Sequence, residues 1–383
     1  MYRVLVDNFP LHDPRMSKEY LLESATLVEQ LNTQGSFDFT CPQTNKYWDM
    51  LKPRTCSIDI ELNGEIRWSG RIIGIERGWE NKKICHCEGE LAKLMDGIIE
   101  PFSFKGTPEA FLEFLTDKHD AEFANDPTHI FSVGDVTVED PNETIIRGSE
   151  SAMTTWAAIS EKCFESSLGG YLTLSSGHTL NWLKDFVDGN GDPLVATQKV
   201  KFSQNLIDLA IETNASELIT CVFPYGAQFE ESQGSPPYEE KPSGEIGHRD
   251  WDGNRLTIAS VMPNGEKYLV NQQAVAKWGK IYGTYTWDEI TIASNLKDAA
   301  QAWLDEQCAK AITAIEATAA DLSLLDSDLD EIMPGLYVAV ESAPHILNEL
   351  LLCTAKTTDI IDPSQTTVTL GVGPRPLTSM IGG

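Results

Sequence analysis

Near its C-terminal end the chain reads as a run of short strands. Ala319-Ala320-Asp321-Leu322-Ser323-Leu324-Leu325 leads into Met333-Pro334-Gly335, and Leu336-Tyr337-Val338-Ala339-Val340 follows. Cys353-Thr354-Ala355-Lys356 comes next, and Asp362-Pro363-Ser364 marks a turn before Thr366-Thr367-Val368-Thr369-Leu370-Gly371. Turn residues at the corners, with β-branched residues between them, suit a small barrel or sandwich and not a helix.

Residues 1–100 carry the same signals. Cys56, Ile58, Ile60 and Leu62 alternate with Ser57, Asp59 and Glu61, which is the period of a half-buried strand. Asn63-Gly64 follows, a pair that tolerates positive φ and so marks a hairpin. The return strand carries Ile66, Trp68, Ile72 and Ile73, and a further strand spans Lys83 to Gly89. This region is expected to be a first β-barrel.

Between the two β-rich ends the pattern changes. Thr107-Pro108 is a helix start, a capping hydroxyl before Pro at the first helical position. A second helix is expected from Ser151 to Glu165, with Ala152, Trp156, Ile159 and Cys163 on one stripe. Residues 101–199 therefore read as a small α/β domain. Residues 200–225 return to strand and, with 312–372, are expected to form a second barrel. Residues 226–311 form an inserted α/β domain with a helix carrying Leu296, Ala300, Trp303 and Leu304. The insert opens with a long loop, 228–254, rich in Pro, Gly and Glu and expected to be exposed and mobile. Residues 373–383 are a C-terminal tail. The fold class expected is mixed, β-rich α+β.

Charge limits the partners. With 29 basic against 58 acidic residues the formal charge is −29, which opposes gripping DNA or anionic membranes by bulk electrostatics. No run of about 18 apolar residues exists. The N-terminus is charged too early for a signal peptide, so the chain is expected to fold in a cytoplasm. Eight scattered cysteines read as buried thiols and not as a disulfide framework.

Motifs that carry chemistry fail one by one. Cys85-His86-Cys87 has one residue between its thiols, too few for a zinc pair, and a strand would put both thiols on one face. Asp326 to Glu331 lacks the Gly and Glu of a calcium loop. Gly-x-Ser-x-Gly, His-Glu-x-x-His and a Walker loop are absent. Asp192 with Asp208, or Glu230 with Glu231, could be named as a glycosidase pair, but so acidic a chain offers such pairs everywhere. Trp156 and Trp303 lie on apolar stripes and read as core. Trp251, flanked by Asp250 and Asp252 in the long loop, is the candidate exposed contact. No catalytic, cofactor or metal residue is assigned.

Taken in order, several phrases resemble phage tail hub proteins. These are Trp68-Ser69-Gly70-Arg71-Ile72, Cys87-Glu88-Gly89-Glu90-Leu91, Leu168-Gly169-Gly170-Tyr171-Leu172, Asn205-Leu206-Ile207-Asp208-Leu209, Phe223-Pro224-Tyr225-Gly226-Ala227 and the C-terminal run. The family includes the N-terminal modules of tail-associated lysins, or prophage endopeptidase tails, related to the baseplate hub of contractile tails. The resemblance implies two similar β-barrel tube domains joined and decorated by smaller α/β domains. It also implies a homotrimer in the virion that caps the tail tube and adapts six-fold to three-fold symmetry. Its partners would be the distal tail ring or tube protein and the tape measure or central spike or fibre proteins. DNA would pass without specific binding, and no stable membrane insertion is expected. Asp59 and Glu61, on the polar face of a strand, are candidates for the tube lining. Many relatives continue into a peptidase or lysozyme-like domain, whereas this chain stops at Gly383, so cell-wall cleavage is not expected to carry over. The alternatives are a peptidoglycan hydrolase of the tail tip and a glycan-binding module.

Overall fold

A computed structural model describes residues 1–140, 144–175, 178–212, 218–228, 255–310, 314–323 and 329–371, with three short strands between 239 and 252. The remainder of the 228–254 loop, residues 324–328 of the acidic turn and residues 372–383 lie outside the described residues. The chain divides into two compact units. One is residues 1–209 with 316–371, and the other is residues 210–315.

The first unit is organised by a 13-stranded sheet. Its first half comprises β1 (Tyr2–Val6), β2 (Phe9–His12), β3 (Ser24–Gln30), β4 (Ser36–Cys41), β5 (Ser57–Leu62), β6 (Glu65–Arg77) and β7 (Lys83–Gly89). The second comprises β8 (Val200–Lys201), β9 (Leu206–Glu212), β10 (Ala314–Ala320), β11 (Tyr337–Ser342), β12 (Leu347–Asp359) and β13 (Thr367–Gly371). The spatial order is β9-β10-β13-β12-β3-β4-β7-β6-β5-β1-β2, with β11 on β12 and β8 on β11.

That order contains a repeat. In the first half the five strands lie as β3-β4-β7-β6-β5, and in the second as β9-β10-β13-β12-β11. Both read first, second, fifth, fourth, third along the chain. The fourth strand is 13 residues long in each half and carries a bulge against its fifth-strand neighbour. The register shifts between Ile72 and Gly74 in β6, and between Cys353 and Ala355 in β12. A bulge bends a long strand so that it serves two neighbours in succession. Just before each bulge the chain makes the same bond. The amide of Arg54 donates to the carbonyl of Ile72 at 2.7 Å, and that of Gly335 to the carbonyl of Cys353 at 2.9 Å. No pairing closes either half into a barrel among the described residues.

Local chemistry accounts for the elements. Ile58 and Ile60 are fully buried and Leu62 nearly so, while Asn63 and Gly64 take φ of 54° and 93° in the turn to β6. Phe37, Phe39, Cys85, Cys87 and Ile72 fill the same core. In the second half Ala317, Ala319, Val338 and Val340 face inward. The α/β layer of this unit is built on helix Pro108–Glu122, whose first amides are met by the Thr107 hydroxyl, accepting from the Ala110 amide at 3.2 Å. Phe111, Leu112 and Leu115 pack with Trp182 and Ile159.

The second helix of this layer departs from expectation. It is α-helical only over Thr155–Ile159 and continues as a π turn over Ser160–Phe164. Ala152 lies outside it, because Met153–Thr154 pairs as a strand with Ile98–Ile99 and Thr154 caps the first turn. Ile159 and Cys163 are buried as read, and Trp156 packs half-buried against them.

In the second unit, strand Cys221–Tyr225 lies between Leu269–Val270 and Tyr282–Thr286. Helix Ala293–Lys310 buries Leu296, Ala300 and Leu304 against Val222 and Leu256. Trp303 packs partly buried on the same cluster.

Candidate assembly site at the joint of the repeated sheet

The two halves of the first unit meet edge to edge. The outer edge of β3 pairs antiparallel with the far end of β12, from Ala355 opposite Gln30 to Asp359 opposite Thr26. The ladder extends at both ends, since the Leu31 amide donates to the Thr354 carbonyl at 3.0 Å and the Ile360 amide to the Ala25 carbonyl at 2.8 Å. Ile360, 2% exposed, then enters the first half's core with Leu22, Ala25, Leu27 and Phe39. One half thus supplies a strand edge and an apolar plug, and the other supplies the edge and pocket that receive them.

A buried cation sits behind this joint. Lys356, on β12 opposite Glu29, is 1% exposed. Its Nζ donates to Asp321 Oδ2 at 2.8 Å, Glu331 Oε1 at 2.7 Å and the Ile332 carbonyl at 3.0 Å. Three acceptors satisfy the three ammonium protons, the condition under which a buried charge is tolerated. Burial works to raise the Asp321 carboxyl, but Lys356, together with the Ser323 amide and the Gln198 side chain, outweighs it and holds the group below its ordinary range. Glu29 is half-buried, and burial pushes it up to about 7, with Lys356 pulling the other way.

A cleft of about 970 Å³ opens beside the joint, lined among others by Glu29, Trp68, Glu90, Leu172 and His178. Trp68 lies across two glycines. A Cβ on Gly70 would stand 2.4 Å from its ring, and one on Gly89 would stand 2.2 Å from the Gln34 carbonyl oxygen. This close packing is a physical reason for the Trp-Ser-Gly and Glu-Gly phrases of the sequence. Glu90 accepts from His178 Nε2 at 2.7 Å and also pairs with Lys93. Burial tends to raise its carboxyl, but these two partners hold it low, so it stays an ionised, occupied acceptor.

Asp59 and Glu61 both lie on the face of β5 opposite Ile58 and Ile60. The Ser69 hydroxyl donates to Asp59 at 2.6 Å, and burial pushes that carboxyl up against the hydrogen bond. Glu61 accepts from Arg3 at 2.6 Å, and Arg3 also donates to Asp13 at 3.0 Å. Trp251 begins a short strand paired with Arg255–Leu256, and its side chain lies outside the described residues. Cys85 and Cys87 face inward while His86 faces out, its Nδ1 2.8 Å from Asp38. Burial pushes the Cys85 thiol up to about 12, which keeps it protonated at neutral pH. All eight cysteines are buried and free. Among the described residues no group of three or more His, Cys, Asp or Glu could hold a metal ion. No described helix is long and apolar enough to cross a membrane.

Sequence reading missed the roles of Lys356 and Ile360. Both fall in Thr-rich stretches whose alternation is broken by the bulge at Thr354, so the inward face cannot be counted from the strand's start.

The fold is one that solved phage tail proteins share. The chain is similar to the tail protein from Neisseria meningitidis MC58, with a TM-score of 0.59 and 15% identity over 97% of this chain and 96% of that one. It is similar to the 43 kDa tail protein of prophage MuSo2 from Shewanella oneidensis, with 0.58 and 13% over 97% and 98%. A prophage tail protein, gp18, from Listeria monocytogenes EGD-e gives 0.60 and 13% over 99% and 97%. At such identities the likeness is one of fold. The family described as prophage endopeptidase tail matches residues 196–380, which span β8 to β13 and the second unit. The resemblance read from the residues therefore agrees with a family match over residues 196–380 and with the fold of these tail proteins. No curated protein matches the chain.

Proposed function

We propose that this chain is a structural subunit of a phage tail, the hub of the tail tip, and that it works as a homotrimer. The observation that carries the reading is the repeat. Two halves of one chain share a five-strand order and are joined edge to edge through β3 and β12. Three such chains would present six equivalent halves and so match a six-fold tube to a three-fold tip. In this reading each half is a tube domain that becomes part of a closed barrel on assembly, and the α/β units decorate the outside.

The hub would cap the tail tube and contact the distal ring or tube protein on one side. On the other it would contact the tape measure or central spike or fibre proteins. The net charge of −29 suits a passage that DNA crosses without binding. Asp59 and Glu61 are proposed for the lining of that passage. The virion is the site of action, and the host cytoplasm the site of assembly. No catalytic step is assigned.

Mass measurement in solution, followed by imaging of assembled tails, tests this reading. Three copies around the tail axis are expected. A stable two-fold dimer, or a chain that stays monomeric at every concentration and is absent from tails, would overturn it.

A further inference from the structure

The internal joint has two unused counterparts on the same unit. In the second half, the edge of β12 that faces away from β13 is fully occupied, by β11 over Leu347–Leu352 and then by β3 over Ala355–Asp359. In the first half, the equivalent edge of β6 is occupied by β5 only as far as Arg71. Beyond it, Ile73–Arg77 has no strand partner on that side among the described residues. The complementary gap lies at the far end of the sheet. There β9, the counterpart of β3, pairs among the described residues with β10 alone, and Ile207 on it is 59% exposed.

The bulges fix the equivalence residue by residue. Ile72 and Cys353 precede the two register shifts, and both are buried. Ile360 stands seven residues beyond Cys353, and Trp79 stands seven beyond Ile72. Ile360 is the apolar plug of the internal joint, 2% exposed. Trp79 is fully exposed. A large aromatic ring left in water where its counterpart is a core residue indicates an unmade contact.

We propose that the β6 edge at Ile73–Arg77 receives the outer edge of β9, at Leu206–Leu209, from a second copy of this chain. Trp79 then enters the apolar interior of that copy's second half, as Ile360 enters the first half within one chain. Main-chain bonds between the two edges supply the ladder, and the tryptophan supplies the anchor. The two edges are different surfaces, so the contact is head-to-tail, the kind from which a closed three-fold ring is built, and not one that pairs about a two-fold axis. It also removes the two open edges that would otherwise template uncontrolled association. This inference rests on the reading of the chain as an assembling hub and names the surfaces that assembly uses.

The test compares the full chain with Trp79→Ala and Trp79→Phe by sedimentation over a wide concentration range. Because Trp79 is fully exposed, the subunit's circular dichroism should be unchanged by either substitution. The alanine variant should assemble about 100-fold more weakly, as expected for losing a central aromatic anchor, and Trp79→Phe should recover most of that loss. Hydrogen exchange should show the amides of Ile75 and Arg77 protected in the wild-type assembly and open in the alanine variant. If the wild type assembles and Trp79→Ala assembles equally well, with those amides unprotected in both, this interface is wrong while the hub reading stands. If the wild type stays monomeric at every concentration, the interface is overturned, and the hub reading falls with it only where the chain is also absent from assembled tails.

Discussion

The ammonium of Lys356 lies 2.8 Å from Oδ2 of Asp321, and the two side chains are 1% and 2% exposed. The pair ties β12 to the segment that follows β10, so it holds the second half closed behind the joint. Removing one partner leaves a charge buried with too few acceptors or donors. Lys356→Met is expected to destabilise the chain by about 3–5 kcal/mol, as is Asp321→Asn by a somewhat smaller amount. The double variant Lys356→Met with Asp321→Asn should cost less than the sum, because the second change removes the buried carboxylate that the first would orphan, while Glu331, 22% exposed, keeps access to water. Urea unfolding of the four proteins measures the cycle, and strict additivity would show that the two groups do not act as a pair.

Ile360 plugs the first half's core from the second. Ile360→Ala should cost about 2–4 kcal/mol through lost burial and the cavity left behind. Trp79→Ala on the isolated subunit should cost almost nothing, since that ring has no core around it. Thermal unfolding at low protein concentration, where copies do not associate, separates the two. Equal losses at both positions would remove the basis for treating them as counterparts in different states.

Glu29 gives the joint a pH dependence. Its ordinary value is 4.5 and burial pushes it up to about 7. The folded state therefore holds a proton that the unfolded chain releases. Its contribution is fully present below about pH 4.5 and is lost as pH rises toward 7. Glu29→Gln removes that slope and should be more stable than the wild type at pH 8, by about 1–2 kcal/mol given that the side chain is only half-buried. The two proteins should unfold alike at pH 5 apart from a constant offset. Denaturant curves at pH 5 and 8 decide it, and a wild type that gains on the variant with rising pH would reverse the sign.

The cleft beside the joint offers the sharpest check on catalysis. Its Glu90 is held ionised by His178 and Lys93, which leaves it no proton to donate. Purified chain should release no soluble muropeptides from peptidoglycan. Reproducible release that disappears in Glu29→Gln or Glu90→Gln would make the protein a hydrolase and displace the structural reading.

Strand positions and their turns were legible from residues because their signals are local. Ile58, Ile60 and Leu62 alternate with polar neighbours, and Asn63-Gly64 supplies the positive φ that the hairpin needs. Thr107-Pro108 starts a helix for reasons contained in the first turn itself. The inward cysteines followed from the same two-residue period. The second helix was less legible. Ala152 fits the stripe by spacing, yet the backbone before Thr154 bonds to a distant strand.

What the amino-acid order determined alone was the inventory of elements, the acidic balance and a likeness to tail proteins. The tertiary structure decided how those elements are joined. The bulge at Thr354 turns Lys356 inward, where its charge needs Asp321 and Glu331, residues whose approach no local pattern records. Pairing of β3 with β12 brings together segments more than three hundred residues apart through backbone groups that nearly every residue carries. Sequence can therefore mark that an edge exists, but only the assembled sheet shows which edges are filled and which are left open.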